Sequence, residues 1–329
     1  PTMVSSSAAS DVYKRQPERS LKVGEMPDPT PGPGEVRIGV AASGVNPGDV
    51  KKRQDTFGVG MPYPRVIPHS DGAGTIDQVG DGVDASWVGK RVWCFGAQSY
   101  RPFGTAAEFC VLPLALVSEL PSEASFEQGA LLGIPGITAH RAVHVAGPVD
   151  GRTVLVQGGA GAVGSCAVRL ARRGGANVIA TVQSDAQVEA AKEAGAHHVI
   201  RSGDDLARRV KALSPDGVDH IVEVAFAANI ENDEKMLKLG GSIAAYASNA
   251  PEATIPFWLL AFKNVQVYFL GSDDFPLESK RAAAVELTAA VREGALGLPV
   301  GARFALDEIA EAHEHIEGRK GPGRVVVTL

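Results

Sequence analysis

Apolar residues arrive in short bursts through the first third of the chain and in longer, near-continuous runs after it. Residues 35–40, EVRIGV, alternate with the period of two expected of a strand with one face buried. Residues 74–79, 91–95 and 107–111 are further strand candidates. Turn signals separate them, such as Pro31-Gly32-Pro33-Gly34 and Gly80-Asp81-Gly82. Many short strands with Gly and Pro between them predict an all-β, barrel-like domain.

The pattern changes near residue 122. Residues 122–133 read as a helix, with Ser122 as its cap and Glu123 as an acid in its first turn. From Thr153 onward, strands and helices alternate. The strands are TVLVQ (153–157), NVIATV (177–182), HHVI (197–200), VDHIVEVA (218–225), GSIAAYA (241–247) and VQVYFLG (265–271). Helical segments such as 186–194 and 204–213 fall between them. Several of these strands are apolar on both faces, as a buried parallel sheet requires. Alternating βα units of this kind predict an α/β fold with a doubly wound sheet. A helix is expected over 279–293 and another over 307–318, where Ile309, Ala312 and Ile316 share a face; the chain then ends in a strand, RVVVTL.

A chain of 329 residues with 44% hydrophobic residues is too large for one small domain and suits two. The net charge is -6, and Lys and Arg are scattered, so no basic stripe marks a nucleic-acid surface. Cys94, Cys110 and Cys166 form no CxxC pair, which argues against a disulfide framework or a cysteine-built zinc site and favours a reducing, cytoplasmic compartment. No apolar run reaches the roughly 18 residues of a membrane span. The first sixteen residues, PTMVSSSAASDVYKRQ, show no period of 2 or 3.6 and are expected to be a non-native leader that carries no fold element.

The strand TVLVQ leads directly into Gly158-Gly159-Ala160-Gly161-Ala162-Val163-Gly164, and the helical segment SCAVRLARR follows. Gly159, Gly161 and Gly164 satisfy G-x-G-x-x-G. In that setting the early glycines permit a tight turn and close approach of a pyrophosphate, the last admits helix–strand packing, and the helix N-terminus offers free N–H groups. Strand, motif and helix in that order predict a dinucleotide site. Sites selective for NAD carry an acid at the end of the second strand. Here Val182-Gln183-Ser184 stand there, with Ser184 and Arg201 available to a 2′-phosphate and Asp185 close by. NADPH is therefore favoured over NADH.

These residues, with PDPTPGPGEVRI (27–38), ASGVNPGDVK (42–51), IPHSDGAGTIDQVGDGV (67–83), VGKRVW (88–93), FGTAAEF (103–109) and GIPGITAHRAV (133–143), resemble the medium-chain dehydrogenases/reductases, in the quinone oxidoreductase (zeta-crystallin-like) branch. The resemblance runs from about residue 20 to the end. It implies a GroES-like β domain over 17–122 and 272–329 and a Rossmann domain over 123–271. Zinc-dependent relatives carry metal ligands at the positions of Asn46 and Ser70 and near Ile134. None of these is a Cys or His here, the four-cysteine lobe is missing, and His69 reads as a pocket-wall or loop histidine. Without a Lewis acid for an alcohol, the resemblance implies hydride delivery from NADPH to an electrophilic carbon, as in a quinone or an α,β-unsaturated carbonyl compound.

By the same resemblance Asn46 orients nicotinamide or substrate, although a turn residue before Pro47 is an equal reading. Lys52 and Tyr63 are further catalytic candidates near the pocket. The cofactor is expected to meet Asn46, Thr138, residues 158–164 (Gly158, Gly159, Ala160, Gly161, Ala162, Val163, Gly164), Ser184, Arg201, Ala225, Phe226, Tyr246, Ala247, Ser248, Leu270, Gly271 and Gly323. Two other functions stay open: an enoyl-thioester or acrylate-type C=C reductase, and a non-catalytic NADPH-binding protein with a structural or regulatory role. The resemblance implies a homodimer, since relatives pair the sixth strands of their Rossmann sheets across a two-fold axis, and the strand at 265–271 is a suitable edge that must be paired or protected. Small-molecule substrates are the expected partners, with no nucleic acid and no membrane.

Overall fold

A computed structural model of the chain describes residues 2–7, 20–56, 58, 60, 63–318, 321 and 323–329. It divides into two compact units, Pro1–Ile134 with Lys280–Leu329, and Pro135–Ser279. The divisions fall later than the composition shift suggests, at 134/135 and 279/280. One reason is local. Residues 122–133 form no single helix: Ser125, not Ser122, caps a short helix Phe126–Ala130, and its hydroxyl accepts from the Gln128 N–H while Gln128 Oε1 accepts from the Ser125 N–H. Gly129 and Ala130 of that helix are buried. A second helix, Gly133–His144, follows, and its Ile134 N–H is bonded to Asp71 of the β unit.

The first unit is organised by one long strand, Glu35–Val45. Its alternating half is continued by the small residues AASGV, which explains why the strand is longer than EVRIGV. Along one edge it pairs antiparallel with Asp71–Val79. Along the other, its first half pairs with Phe109–Pro113 and its second half with Arg324–Thr328. The C-terminal residues thus complete a sheet begun near the N-terminus. The strands Val300–Ala305, Arg91–Cys94 and Val117–Glu119 extend this seven-stranded sheet. Val36, Ile38, Ile76, Val92 and Leu112 fill one buried cluster, and Val45, Ile67, Ile309, Val325 and Val327 another. The expectation for the first sixteen residues is corrected over Thr2–Ser7: these form a strand paired antiparallel with Leu21–Glu25 and with Arg65–Val66. The rest of that segment lies outside the described residues.

The second unit holds a six-stranded sheet whose pairings are all parallel. Its spatial order is His198–Arg201, Asn177–Val182, Thr153–Val156, Val218–Glu223, Leu237–Ala245, Gln266–Phe269. The first strand in sequence is central, and the order reverses beside it. That is the doubly wound arrangement, in which ligands bind beyond the carboxyl ends of the strands at the switch point. Leu155, Ile179, Ile221 and Ile243 are inaccessible and pack with Val210, Ile230 and Met236. Among the described residues no helix is long and apolar enough to cross a membrane.

Candidate functional site

In the second unit the glycine loop leaves the strand Thr153–Val156 at the switch point and enters the helix Ala162–Arg173. Gly158 is left-handed, at φ 67°. A Cβ on Gly159 would stand 2.7 Å from the Ala180 Cβ, and one on Gly164 only 2.1 Å from the Gly158 carbonyl oxygen. A Cβ on Gly161 would meet nothing nearer than 3.2 Å. Gly159 and Gly164 are therefore glycines for packing, whereas a Cβ on Gly161 would be crowded only slightly, by the Gly158 carbonyl oxygen. The first intrahelical bond runs from the Ser165 N–H to the Gly161 carbonyl at 2.8 Å. The N–H groups of Ala162, Val163 and Gly164 precede it, and such first-turn donors are the ones a phosphate accepts from. The residues present fit a pyrophosphate.

The loop is braced from beneath. The Gly158 N–H donates to Thr181 Oγ1 at 3.0 Å, and the Gly159 N–H to the Thr181 carbonyl at 2.8 Å. Thr181 and its neighbour Val182 are buried. No acid stands at the end of this strand. Arg201 does stand at the adjacent strand end, paired with Val182 in register, but its guanidinium is ion-paired with Asp185 at 3.4 Å. Ser184 lies between them, at the start of a turn.

The remaining candidates of this unit divide by what their groups already do. The Phe226 side chain is core, edge-on to Phe269 with ring centroids 5.2 Å apart, and its N–H is bonded to the Ala247 carbonyl. The Ala225 N–H is taken by Glu223 Oε1, and the Leu270 N–H by the Ala245 carbonyl. Ser248 Oγ donates to the Ala250 carbonyl at 2.7 Å. Tyr246 follows the strand Leu237–Ala245, and burial, with Glu223 nearby, pushes its hydroxyl above the usual phenol range. Thr138 is buried in the helix Gly133–His144, and Gly271 opens the turn after the edge strand.

In the first unit, Asn46 stands at the start of the helix Pro47–Arg53. Its backbone N–H donates to Asp49 Oδ2 at 2.8 Å, so the carboxylate three residues on caps the turn. The side chain is then free for long-range partners. Asn46 Nδ2 donates to Asp71 Oδ2 at 2.7 Å, and Arg324 donates to Asn46 Oδ1 at 2.8 Å. All three residues are buried. The Ile134 N–H donates to both Asp71 oxygens at 2.9 Å. Burial is the largest influence on Asp71 and holds its pKa at about 7. Asp71 and Arg324 carry no local mark of this role, because the partner Asn46 lies 25 and 278 residues away. Tyr63 has a partner elsewhere in the unit. The Tyr63 hydroxyl donates to the Tyr100 carbonyl at 2.6 Å, and Lys52 is half-buried on the helix Pro47–Arg53.

His69 lies in the loop before the strand Asp71–Val79 and is fully buried. Its Nδ1 is bonded to Ser43 Oγ and its Nε2 to His313 Nε2, each at 2.9 Å. Burial lowers its pKa to about 3, so the ring is neutral. Asn46, Ser70 and Ile134 offer neither thiolate nor imidazole, and the Arg324 cation bonds Asn46 directly. This residue set does not fit zinc. Gly323 is left-handed at φ 87°, and a Cβ there would meet Gly301 Cα at 2.7 Å, which is reason enough for a glycine at that turn.

The family described as zinc-binding dehydrogenase matches residues 162–284, and the one described as alcohol dehydrogenase GroES-like domain matches residues 32–122. The quinone oxidoreductase of Rattus norvegicus is 33% identical over 309 residues, covering 92% of this chain and 91% of its own length. A 2-haloacrylate reductase from Burkholderia sp is 29% identical, covering 91% of this chain and 92% of its own length. A solved mycobacterial protein complexed with NADPH superposes with a TM-score of 0.85 at 28% identity, covering 100% of both chains. With its GroES-like and Rossmann units, the chain belongs to the medium-chain dehydrogenase/reductase family of oxidoreductases, where the quinone oxidoreductases of zeta-crystallin type are its relatives.

Proposed function

We propose that the protein is an NADPH-dependent reductase of quinones or other α,β-unsaturated carbonyl compounds that works without a metal. The observation that carries the reading is the glycine loop: a left-handed turn at Gly158, the first-turn N–H groups of the helix Ala162–Arg173, and no acid at the end of the second strand. Ala162, Val163 and Gly164 would hold the pyrophosphate, and Ser184 with Arg201 the 2′-phosphate. A related mycobacterial structure holds NADPH, which supports the same choice. When bound, NADPH supplies a hydride for an electrophilic carbon. The chain's own residues bind and orient. Asn46, its amide fixed at both ends, is the orienting group of the β unit, and neither Lys52 nor Tyr63 is needed for that role.

The zinc-free reading rests on donor chemistry. The ligand positions hold Asn46, Ser70 and Ile134, and His69 spends both ring nitrogens on protein partners. A reductase of acrylate-type C=C bonds is the second reading, favoured by the 2-haloacrylate reductase among the relatives. We further assign the protein a homodimeric state and a cytoplasmic location. The strand Gln266–Phe269 ends the sheet and exposes 72% of Phe269, and edges of this kind call for a partner. The test of the functional reading is oxidation of NADPH by a 1,4-quinone and by a simple enone with EDTA present. Turnover of the quinone supports it, turnover of the enone alone moves it to ene reduction, and turnover of neither contradicts it.

A further inference from the structure

Beneath the glycine loop lies a chain of buried polar groups. The Gly158 N–H can only donate, so Thr181 Oγ1 accepts from it and must spend its own proton elsewhere. That proton goes to Gln157 Oε1, at 2.8 Å. The amide of Gln157 is thereby oriented, and its Nε2 donates to Asp233 Oδ1 at 3.0 Å. From the other end, Glu223 Oε1 accepts from the Ala225 N–H and from Asn229 Nδ2. One oxygen of each acid is left. Glu223 Oε2 and Asp233 Oδ2 are both fully buried and have no donor among the described residues. Glu223 and Asp233 are close enough that each acts on the other's carboxyl.

Two carboxylates facing each other in a dry interior cannot both be charged and leave both oxygens unsatisfied without a large cost. No Lys, Arg or His among the described residues is bonded to either acid. Nearby charged groups are turned elsewhere: Glu234 to Lys263 at 2.7 Å, Asp219 to Lys238, and His220 to Ser242 and the Ala142 carbonyl. Tyr246 is the titratable group that senses Glu223, and Cys166 acts on Tyr246 in turn. We propose that Glu223 and Asp233 share one proton between Oε2 and Oδ2, and that this acid pair is a positioning device that holds the glycine loop in its phosphate-binding shape. Burial pushes both carboxyls up, and Glu223 pushes Asp233 further up while the bond from Asp233 lowers Glu223, in agreement with a retained proton that Asp233 donates to Glu223. The proposal rests on the NADPH reading only for the ligand that the loop positions.

An amide in place of either acid reproduces the protonated pair. In Asp233→Asn, Oδ1 still accepts from Gln157 and Nδ2 donates to Glu223. In Glu223→Gln, Oε1 still accepts from Ala225 and Asn229, and Nε2 donates to Asp233. The double variant sets Nδ2 against Nε2, two donors with no acceptor. The experiment measures NADPH affinity by fluorescence, and thermal melting of the unliganded protein, for the wild type, both single variants and the double variant between pH 6 and about 9. Each single variant should bind NADPH within about threefold of wild type at neutral pH, and the double should bind more than about tenfold more weakly. In the unliganded proteins the double should melt below either single. The wild type, but not Asp233→Asn, should lose melting temperature as the pH climbs and the shared proton leaves. Additive single and double effects, or the same pH slope for wild type and Asp233→Asn, would overturn the proposal. If no protein of the set binds NADPH, the cofactor reading fails, while the melting profiles still decide the shared proton.

Discussion

Asn46 Nδ2 donates to Asp71 Oδ2 at 2.7 Å, and both side chains are buried. With Arg324 on Asn46 Oδ1, the amide is held at both ends. Neither amide orientation of Asp71→Asn can accept from both Asn46 and Ile134 without opposing one N–H to another. That substitution should cost about 1–3 kcal/mol of positioning or stability and lower kcat on the order of tenfold, with little change in the KM for NADPH.

The same carboxyl predicts a pH dependence. Its pKa is raised to about 7 by burial. An ionised Asp71 is the stronger acceptor for Asn46, so the rate should rise through about pH 7. Stability moves the other way. The folded chain retains a proton that the unfolded chain has released, so this contribution is full below the ordinary carboxylate range and is lost as the pH rises through about 7. Both slopes should disappear in Asp71→Asn. A variant that keeps either slope contradicts the assignment.

Gly161 and Gly164 should separate binding from folding. A Cβ at Gly164 collides with the Gly158 carbonyl, so Gly164→Ala should unfold more readily and bind NADPH poorly. Gly161 stands at φ -74°, where any residue is comfortable, and a Cβ there would press on the Gly158 carbonyl oxygen at 3.2 Å, which a shift of a few tenths of an ångström relieves. Gly161→Ala should melt within about 0.5 kcal/mol of wild type yet lose NADPH affinity by tenfold or more, about 1.4 kcal/mol. Unchanged NADPH affinity in Gly161→Ala would mean that the position serves something else.

Cofactor choice should follow the Arg201–Asp185 pair. The pair is exposed on both sides and is worth on the order of 1 kcal/mol at most. Asp185→Ala frees Arg201 for a 2′-phosphate and should raise the NADPH/NADH affinity ratio by up to about fivefold, whereas Arg201→Ala should lower it with NADH unaffected. Isothermal titration with both dinucleotides distinguishes these outcomes. Equal ratios in all three proteins would remove Arg201 from the site.

Phe269 gives a direct test of assembly. Wild type should sediment as a dimer at micromolar concentration. Phe269→Lys, on the edge strand, should shift it toward monomer, since a charge at an exposed edge opposes pairing. A monomeric wild type contradicts the assignment.

What was legible in the sequence follows from the range of the forces involved. The parallel strands were visible because burial on both faces demands unbroken apolar runs, and TVLVQ and NVIATV carry that mark in their own residues. The glycine loop was visible because backbone geometry is a local demand. The helix start was misplaced from Ser125 to Ser122 because two serines compete and only Gln128 decides between them. Asp71, Arg324, Glu223 and Asp233 stayed hidden. Their meaning lies in partners brought close only by the folded sheets, and a single acid within VDHIVEVA does not reveal what it faces.

The central claim is most directly tested by following absorbance at 340 nm for the purified protein with NADPH, a 1,4-quinone and EDTA. The account predicts NADPH oxidation that depends on the quinone, is undiminished by EDTA, and exceeds the rate with NADH. Loss of activity in EDTA that zinc restores would contradict the metal-free reading, and a preference for NADH would contradict the reading of Val182, Ser184 and Arg201.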